Sequence, residues 1–214
     1  MRDLSKDGAY WDNIYTSGNI KKPEFDGWLE QFEDIVSACT EPVLDIGCGS
    51  GADTAWFLEK GRRVVACDRS KAAVEGIERR FPQVRALDFD MLDGLPFPDG
   101  SFGIVCADLS LHYFGEEDTF RILGEIKRVL SAGGYLLARV NCVADVNYGA
   151  GRGEETERHL YRMPDGRLKR FFDREDVEYF FSDFHIVSCA EQTTDRYGAE
   201  KEMLCICAVK AGAA

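Results

Sequence analysis

The residues with the clearest chemical potential form a glycine-rich turn in the first quarter of the chain. Gly47, Cys48, Gly49 and Gly51 directly follow the apolar run at 43–46. Glycine carries no Cβ and adopts positive φ without strain, so such a backbone can approach a ligand closely. A simple strand-to-helix connection needs fewer glycines. The pattern therefore predicts a ligand-binding turn that opens a helix, where free backbone N–H groups attract polar groups.

Two acids near this turn indicate what it binds. Asp68 ends the apolar run at 64–67, where a carboxylate can accept from both ribose hydroxyls or can instead cap the following helix. Asp45 precedes the glycines, and a carboxylate there favours a cation such as the sulfonium of S-adenosylmethionine over a pyrophosphate. The segment 47–52 also fits the looser dinucleotide pattern, so an NAD(P)-binding oxidoreductase is the alternative.

A second candidate centre follows the apolar run at 102–107 and contains Asp108, Leu109, His112 and Tyr113. Imidazole titrates near neutral pH, so His112 is a candidate general base for a hydroxyl, thiol or amine acceptor. The alternative is that His112 and Tyr113 shape the pocket and pack the next helix. An acceptor that is already ionised would need positioning and no base.

Charge limits the partners of these residues. The 214-residue chain has a net charge of -12, which argues against nucleic acid because phosphate neutralisation needs clustered Lys and Arg. A small-molecule substrate is therefore expected. Segment 152–174 departs from this balance, with six Arg and one Lys against three Glu and two Asp. It would favour an anionic acceptor, with a solvated loop of mixed charge as the alternative.

Cysteine and histidine usage predicts free thiols and no metal. The eight cysteines include no CxxC pair and lie mostly in apolar runs, and the three histidines are far apart. The first twenty residues contain charges and no long apolar run, so we expect neither a signal peptide nor a membrane helix. These features predict a cytoplasmic protein with no membrane contact, as a monomer or a homodimer.

The elements that must position these residues alternate along the chain. Short apolar runs predict strands at 43–46, 63–67, 83–87, 102–109, 135–141, 184–191 and 203–210. Helical spacing of apolar residues predicts helices at 54–60, 71–81 and 117–130, and a lead-in helix between Trp28 and Val36. Strands that alternate with amphipathic helices predict an α/β fold with a doubly wound, mostly parallel sheet.

Several motifs together resemble those of class I S-adenosylmethionine-dependent methyltransferases. The run 43–51 resembles their first motif, Asp68 matches the acid of their second strand, and segment 90–102 resembles their third-strand region. The turn at 129–134 is similar to the one before their fifth strand. The resemblance implies a seven-stranded sheet of order 3-2-1-4-5-7-6, with strand 7 antiparallel and helices on both faces. S-adenosylmethionine would lie at the carboxyl ends of strands 1, 2 and 4.

The resemblance also implies roles for individual residues. Asp45 and the glycine turn would contact the amino acid portion, and Asp68 with its neighbour Arg69 the ribose. Asp90 would bind the adenine amino group and Met91 would lie against the ring. The run from Asp108 and Leu109 to His112 would lie beside the reactive methyl group.

Two further segments complete the predicted single domain 1–214. The lead-in 1–40 would fold over the cofactor, with Tyr10, Trp11 and Tyr15 as lid residues or as core packing. Segment 142–174 follows the fifth strand, where such enzymes place substrate-recognition insertions; Tyr148, Tyr161 and Arg170 would contact the acceptor, with an ordinary surface loop as the alternative. The chain is thus predicted to methylate a small molecule, in the style of tellurite-resistance-type members, or to bind the cofactor as a non-catalytic regulator.

Overall fold

The computed structural model describes residues 4–16 and 24–211. Its α-helices are α1 (Leu4–Thr16), α2 (Glu33–Ala38), α3 (Ala52–Glu59), α4 (Lys71–Arg80), α5 (Glu116–Val129) and α6 (Arg174–Phe180). Its strands are β1 (Val43–Ile46), β2 (Val64–Asp68), β3 (Arg85–Asp88), β4 (Phe102–Asp108), β5 (Leu130–Asn141), β6 (Glu154–Glu157), β7 (Leu160–Arg162), β8 (Leu168–Arg170), β9 (His185–Thr194) and β10 (Lys201–Val209).

The main sheet has the predicted topology. Seven strands lie in the order β3-β2-β1-β4-β5-β10-β9. Neighbouring strands from β3 to β5 are parallel, whereas β10 is antiparallel to both β5 and β9. Because β9 and β10 correspond to strands 6 and 7 of the predicted order, the doubly wound α/β fold is confirmed. The order reverses between β1 and β4, where open sheets of this kind bind ligands.

Alternate residues of the central strands enter two hydrophobic clusters on opposite faces of the sheet. Val43 and Ile104 pack with Trp56 of α3 and with the lead-in. Leu44 and Val105 pack with the apolar side of α5 and with α6. Side chains of a strand alternate between faces, and helices cover both, so the strands are apolar throughout. This double burial fixes where each strand ends and therefore where the site lies.

The structure differs from the prediction at the start of β5. The predicted turn at 131–134 belongs to the strand, which begins at Leu130 and pairs with Phe102 before the register shifts to Ile104 and Tyr135. Backbone hydrogen bonds to Lys210 hold the intervening glycines. The sequence showed the glycines but not their pairing with Lys210, directly after β10, which keeps them in the sheet.

The segment after β5 contains more regular structure than its weak periodicity predicted. Strands β6, β7 and β8 form a separate antiparallel sheet. Helix α6 begins at Asp173, whose side chain accepts from the backbone of Asp176 while the Asp176 side chain accepts in return. No helix within 4–16 or 24–211 has the length and apolar character needed to cross a bilayer.

Candidate functional site

A large cavity opens at the carboxyl ends of the parallel strands. Its volume is about 1250 Å³. Sites for one drug-sized ligand usually occupy roughly 300–1,000 Å³, so this cavity has room for a cofactor and a second small molecule. The predicted site residues that line it are Tyr10, Trp11, Tyr15, Gly47, Cys48, Gly49, Asp68, Arg69, Asp90, Met91, Asp108, Leu109, His112, Tyr113 and Tyr148.

The glycine turn forms the floor of this cavity. Gly47 and Gly49 have φ angles of 75° and 52°, a region that favours glycine. A Cβ on Gly47 would lie 2.5 Å from Cβ of Ser110, and one on Gly49 would lie 2.5 Å from Oη of Tyr15. The Cβ at Gly47 would meet the base of a side chain, whereas the one at Gly49 would meet the end of a side chain, so close packing constrains Gly47 more strongly than Gly49.

Asp68 joins the glycine turn to the end of β2. Its carboxylate accepts hydrogen bonds from the backbone N–H groups of Gly49 and Ser70, both at 2.9 Å. Burial raises its pKa, and these two bonds oppose the shift. An ionised carboxylate has about four lone-pair sites, so Asp68 keeps acceptor capacity for hydroxyl groups at the cavity edge. Asp90, which follows β3, is paired with Arg69 at 3.1 Å.

The end of β4 is strained where it enters the cavity. Leu109 has a φ of 52°. A side chain in this left-handed region costs about 1–2 kcal/mol. The turn brings Ser110 under the glycines, where its hydroxyl donates to the carbonyl oxygen of Ile46 at 2.9 Å. The strained backbone thus fastens the loop after β4 to the turn after β1.

Helix α1 covers the cavity from the lead-in side. Asp12 accepts from the hydroxyl of Ser70 at 2.6 Å, which attaches the helix to the start of α4. Trp11 packs edge-on against Tyr113 with 5.4 Å between ring centroids. The Tyr10 ring lies 3.7 Å from the guanidinium carbon of Arg167. Tyr10 and Trp11 therefore lie against other residues of the cavity lining, and Tyr15 lies beside Gly49.

Two predicted cofactor residues lie away from the cavity wall. Asp45 is 1% exposed and accepts from the hydroxyl of Thr54. Burial raises the pKa of Asp45 to about 7, so its carboxyl is only partly ionised at neutral pH and the full negative charge expected beside a sulfonium is reduced. Gly51 begins α3 with a φ of 84°, and a Cβ there would lie 2.5 Å from Ile77. Asp45 and Gly51 thus support the glycine turn from positions outside the cavity wall.

A different acid, which the sequence analysis did not single out, lines the cavity beneath this turn. Asp53 accepts from the indole N–H of Trp28 at 2.9 Å, and burial holds its pKa well above its ordinary value. Its carboxylate, that of Asp45 and the thiol of Cys106 lie within 4.8 Å of one another. Because Trp28 and Thr54 already donate to the two carboxyl groups, hydrogen bonding accounts for this cluster.

His112 is buried in the cavity wall, with 1% of its surface exposed. Its Nδ1 has no hydrogen-bond partner among the described residues. Burial, and then the positive charges of Lys201, Lys169 and Arg167, hold its pKa well below its ordinary value. The imidazole is therefore neutral at physiological pH and has a free nitrogen.

The predicted acceptor residues Arg170 and Tyr161 do not line the cavity. Arg170 is 2% exposed, forms an ion pair with Glu157 and lies 4.6 Å above the ring of Phe180. Tyr161 packs against Phe171 with 6.0 Å between ring centroids. The anion contact expected of Arg170 is thus not available, because its guanidinium is already engaged by Glu157 and Phe180.

Several polar lining residues were not predicted. They include Asn141, Arg167, Lys169, Arg196, Tyr197 and Lys201. Arg196 pairs with Asp108 at 2.9 Å, and Arg139 does so at 2.7 Å. Burial raises the pKa of Asp108, but the two arginines outweigh it and leave the pKa below its ordinary value. No pattern in the sequence at 167–170 separated Lys169 from Arg170.

Known proteins resemble the chain in sequence and in fold. The family profile described as a methyltransferase domain matches residues 44–138. A malonyl-[acyl-carrier protein] O-methyltransferase of Halorhodospira halophila is 31% identical over 163 residues, which cover 74% of this chain and 52% of that protein. The chain spans about half the length of the curated relatives it matches.

Two solved structures share the fold. A methyltransferase from Methanosarcina mazei gives a TM-score of 0.69 at 20% identity, covering 81% of this chain and 93% of that one. The 1,6-didemethyltoxoflavin-N1-methyltransferase of Burkholderia thailandensis, solved with S-adenosylhomocysteine, gives 0.66 at 21% identity, covering 99% and 92%.

Proposed function

Because the chain belongs to the class I S-adenosylmethionine-dependent methyltransferases, we propose that it transfers the methyl group of S-adenosylmethionine to a small, anionic acceptor and releases S-adenosylhomocysteine. Family membership favours this cofactor over NAD(P), which the glycine pattern alone left open. One observation carries the proposal: the glycine turn, the acids after β2 and β3 and the aromatic side chains of α1 converge on one cavity.

The residues present fit this cofactor. The close packing of Gly47 and Gly49 keeps the floor of the cavity free of side chains. We assign the ribose hydroxyls to Asp68, the adenine amino group to Asp90 and the adenine ring to Met91. The aromatic faces of Trp11 and Tyr15 suit a cationic sulfur compound, because ring faces attract cations. When bound, the cofactor would supply an electrophilic methyl group that the acceptor attacks in line, with the sulfur of S-adenosylhomocysteine as the leaving group.

The chain's own contribution is mainly positioning and exclusion of water. We propose that α1 covers the cofactor side while Tyr113 and Tyr148 enclose the acceptor. The neutral His112 can take a proton from a hydroxyl or amine through its free Nδ1. An acceptor that is already ionised would need only the correct orientation. The eight free cysteines support a reducing, cytoplasmic setting.

Calorimetry with S-adenosylhomocysteine tests the cofactor assignment. Asp68→Ala removes the proposed ribose acceptor and should weaken binding by about 1–3 kcal/mol. Asp88→Ala is the matched control, since Asp88 ends the neighbouring strand β3 but is exposed and outside the cavity. If wild type shows neither binding heat nor a shift in stability with S-adenosylhomocysteine, the proposed function is wrong. If wild type binds and Asp68→Ala binds equally well, the ribose role is wrong.

Turnover separates an enzyme from a protein that only binds the cofactor. Wild type incubated with S-adenosylmethionine and a panel of thiol, amine, hydroxyl and carboxylate acceptors should release S-adenosylhomocysteine with at least one of them. A non-catalytic regulator would bind the cofactor and release none.

A further inference from the structure

The acceptor side of the cavity is lined by four positively charged side chains, and three of them have carboxylate partners. Arg167 pairs with Asp165 at 2.7 Å. Arg196 pairs with Asp108 at 2.9 Å, and Lys201 with Asp145 at 2.7 Å. The fourth is Lys169, for which residues 4–16 and 24–211 provide no carboxylate within ion-pair distance.

Lys169 is held in place without being neutralised. Its ammonium donates to the backbone carbonyl of Tyr148 at 2.6 Å and lies 5.3 Å from the Phe171 ring centroid. Burial, and then the charge of Lys201, lowers its pKa to about 8. Lys169 therefore remains mostly protonated at neutral pH, and two donor positions of its ammonium are left for a ligand.

A second observation on the same wall also calls for a ligand. The Nδ1 atom of His112 is buried and has no partner in the described part of the chain. Native structures rarely leave such an atom unpaired. Lys169, with its uncompensated ammonium, and His112, with its unpaired imidazole nitrogen, thus both line one cavity.

Resting on the methyltransferase function proposed above, we propose that the acceptor is a small carboxylic acid whose carboxylate pairs with Lys169. One uncompensated positive charge matches a monoanion. A phosphate dianion would leave a negative charge without a partner in a half-buried site, which is unfavourable. The rings of Tyr113, Tyr148 and Tyr197 line the cavity and suit an apolar or planar acceptor body.

The test measures probe binding to the full chain loaded with S-adenosylhomocysteine. The probes are benzoate, phenylacetate and hexanoate, the corresponding amides, and inorganic phosphate. At least one carboxylate should raise the unfolding temperature while its amide does not. Lys169→Met should lower the affinity for that carboxylate at least tenfold, and Lys169→Arg should restore most of the affinity. Lys127→Met is the control, because Lys127 is on α5 outside the cavity and should bind the probes like wild type.

Affinity for S-adenosylhomocysteine, measured on every variant, separates this inference from the proposed function. Failure of wild type to bind it would overturn the function itself. With that binding intact, three outcomes each overturn the carboxylate inference: no carboxylate shifts the unfolding temperature, amides or phosphate bind as well as carboxylates, or Lys169→Met retains full carboxylate affinity.

Discussion

Alanine at Gly47 should destabilise the protein more than alanine at a glycine of the same backbone conformation elsewhere. Gly47 and Gly61 have φ angles of 75° and 71°. A side chain in that region costs about 1–2 kcal/mol at either position. Only at Gly47 does the new Cβ meet another atom, Cβ of Ser110 at 2.5 Å, whereas nothing lies within 4 Å at Gly61.

The magnitude follows from this difference. Overpacking of a tight site costs about 1–3 kcal/mol, so Gly47→Ala should lose that much more stability than Gly61→Ala. For a domain of this size, 1 kcal/mol lowers the unfolding temperature by about 2–4 °C. Gly47→Ala should also lower the affinity for S-adenosylhomocysteine, because the clash displaces the cavity floor. Gly61→Ala should leave that affinity unchanged.

Denaturant unfolding and calorimetry on both variants provide the measurement. Ser110→Gly removes the colliding atoms together with the Ser110–Ile46 hydrogen bond, so the double variant should recover stability relative to the sum of the losses of the two single variants. Equal destabilisation by Gly47→Ala and Gly61→Ala, or no recovery in the double variant, would refute the account of the turn as a close contact between the ends of β1 and β4.

Two further predictions concern residues that the structure moves away from the cavity wall. Because burial raises the pKa of Asp45 from its ordinary value to about 7, the folded state binds its proton more tightly than the unfolded chain. The contribution of protonated Asp45 to the free energy of unfolding is present at low pH and is lost as the pH rises to about 7. Denaturant titrations should therefore show a flatter dependence of stability on pH for Asp45→Asn than for wild type between about pH 4 and pH 7. Arg170→Ala should cost about 1–3 kcal/mol, because it removes the ion pair with the part-exposed Glu157 and uncovers Phe180. Arg158→Ala, at an exposed guanidinium, should leave the stability nearly unchanged. An S-adenosylhomocysteine affinity that falls with Arg170→Ala at unchanged stability would contradict the structural role of Arg170.

The predictions from local patterns agree with the structure for those strands whose formation depends mainly on their own residues. The apolar runs ending at Ile46, Asp68 and Asp108 are buried on both faces, so their periodicity shows in the sequence and their ends lie side by side. The acids and glycines after these strands therefore line the predicted cavity. At 142–174 the strands are short and partly exposed, and the periodicity is too weak to reveal β6, β7 and β8.

The sequence by itself determined the central strands, the glycine turn and the acids that follow β2 and β3, because these depend on residues adjacent in the chain. The sheet order was implied by the family resemblance. Only the tertiary structure decided which charges face the ligand. Lys169 and Arg170 are neighbours in sequence, yet one lines the cavity and the other is buried against Glu157 and Phe180. Asp45, which the sequence placed beside the cofactor, is instead covered by α3 and Thr54. The physical reason is that burial and pairing arise from residues far apart in the chain, and these set the side a charge faces and whether it stays charged.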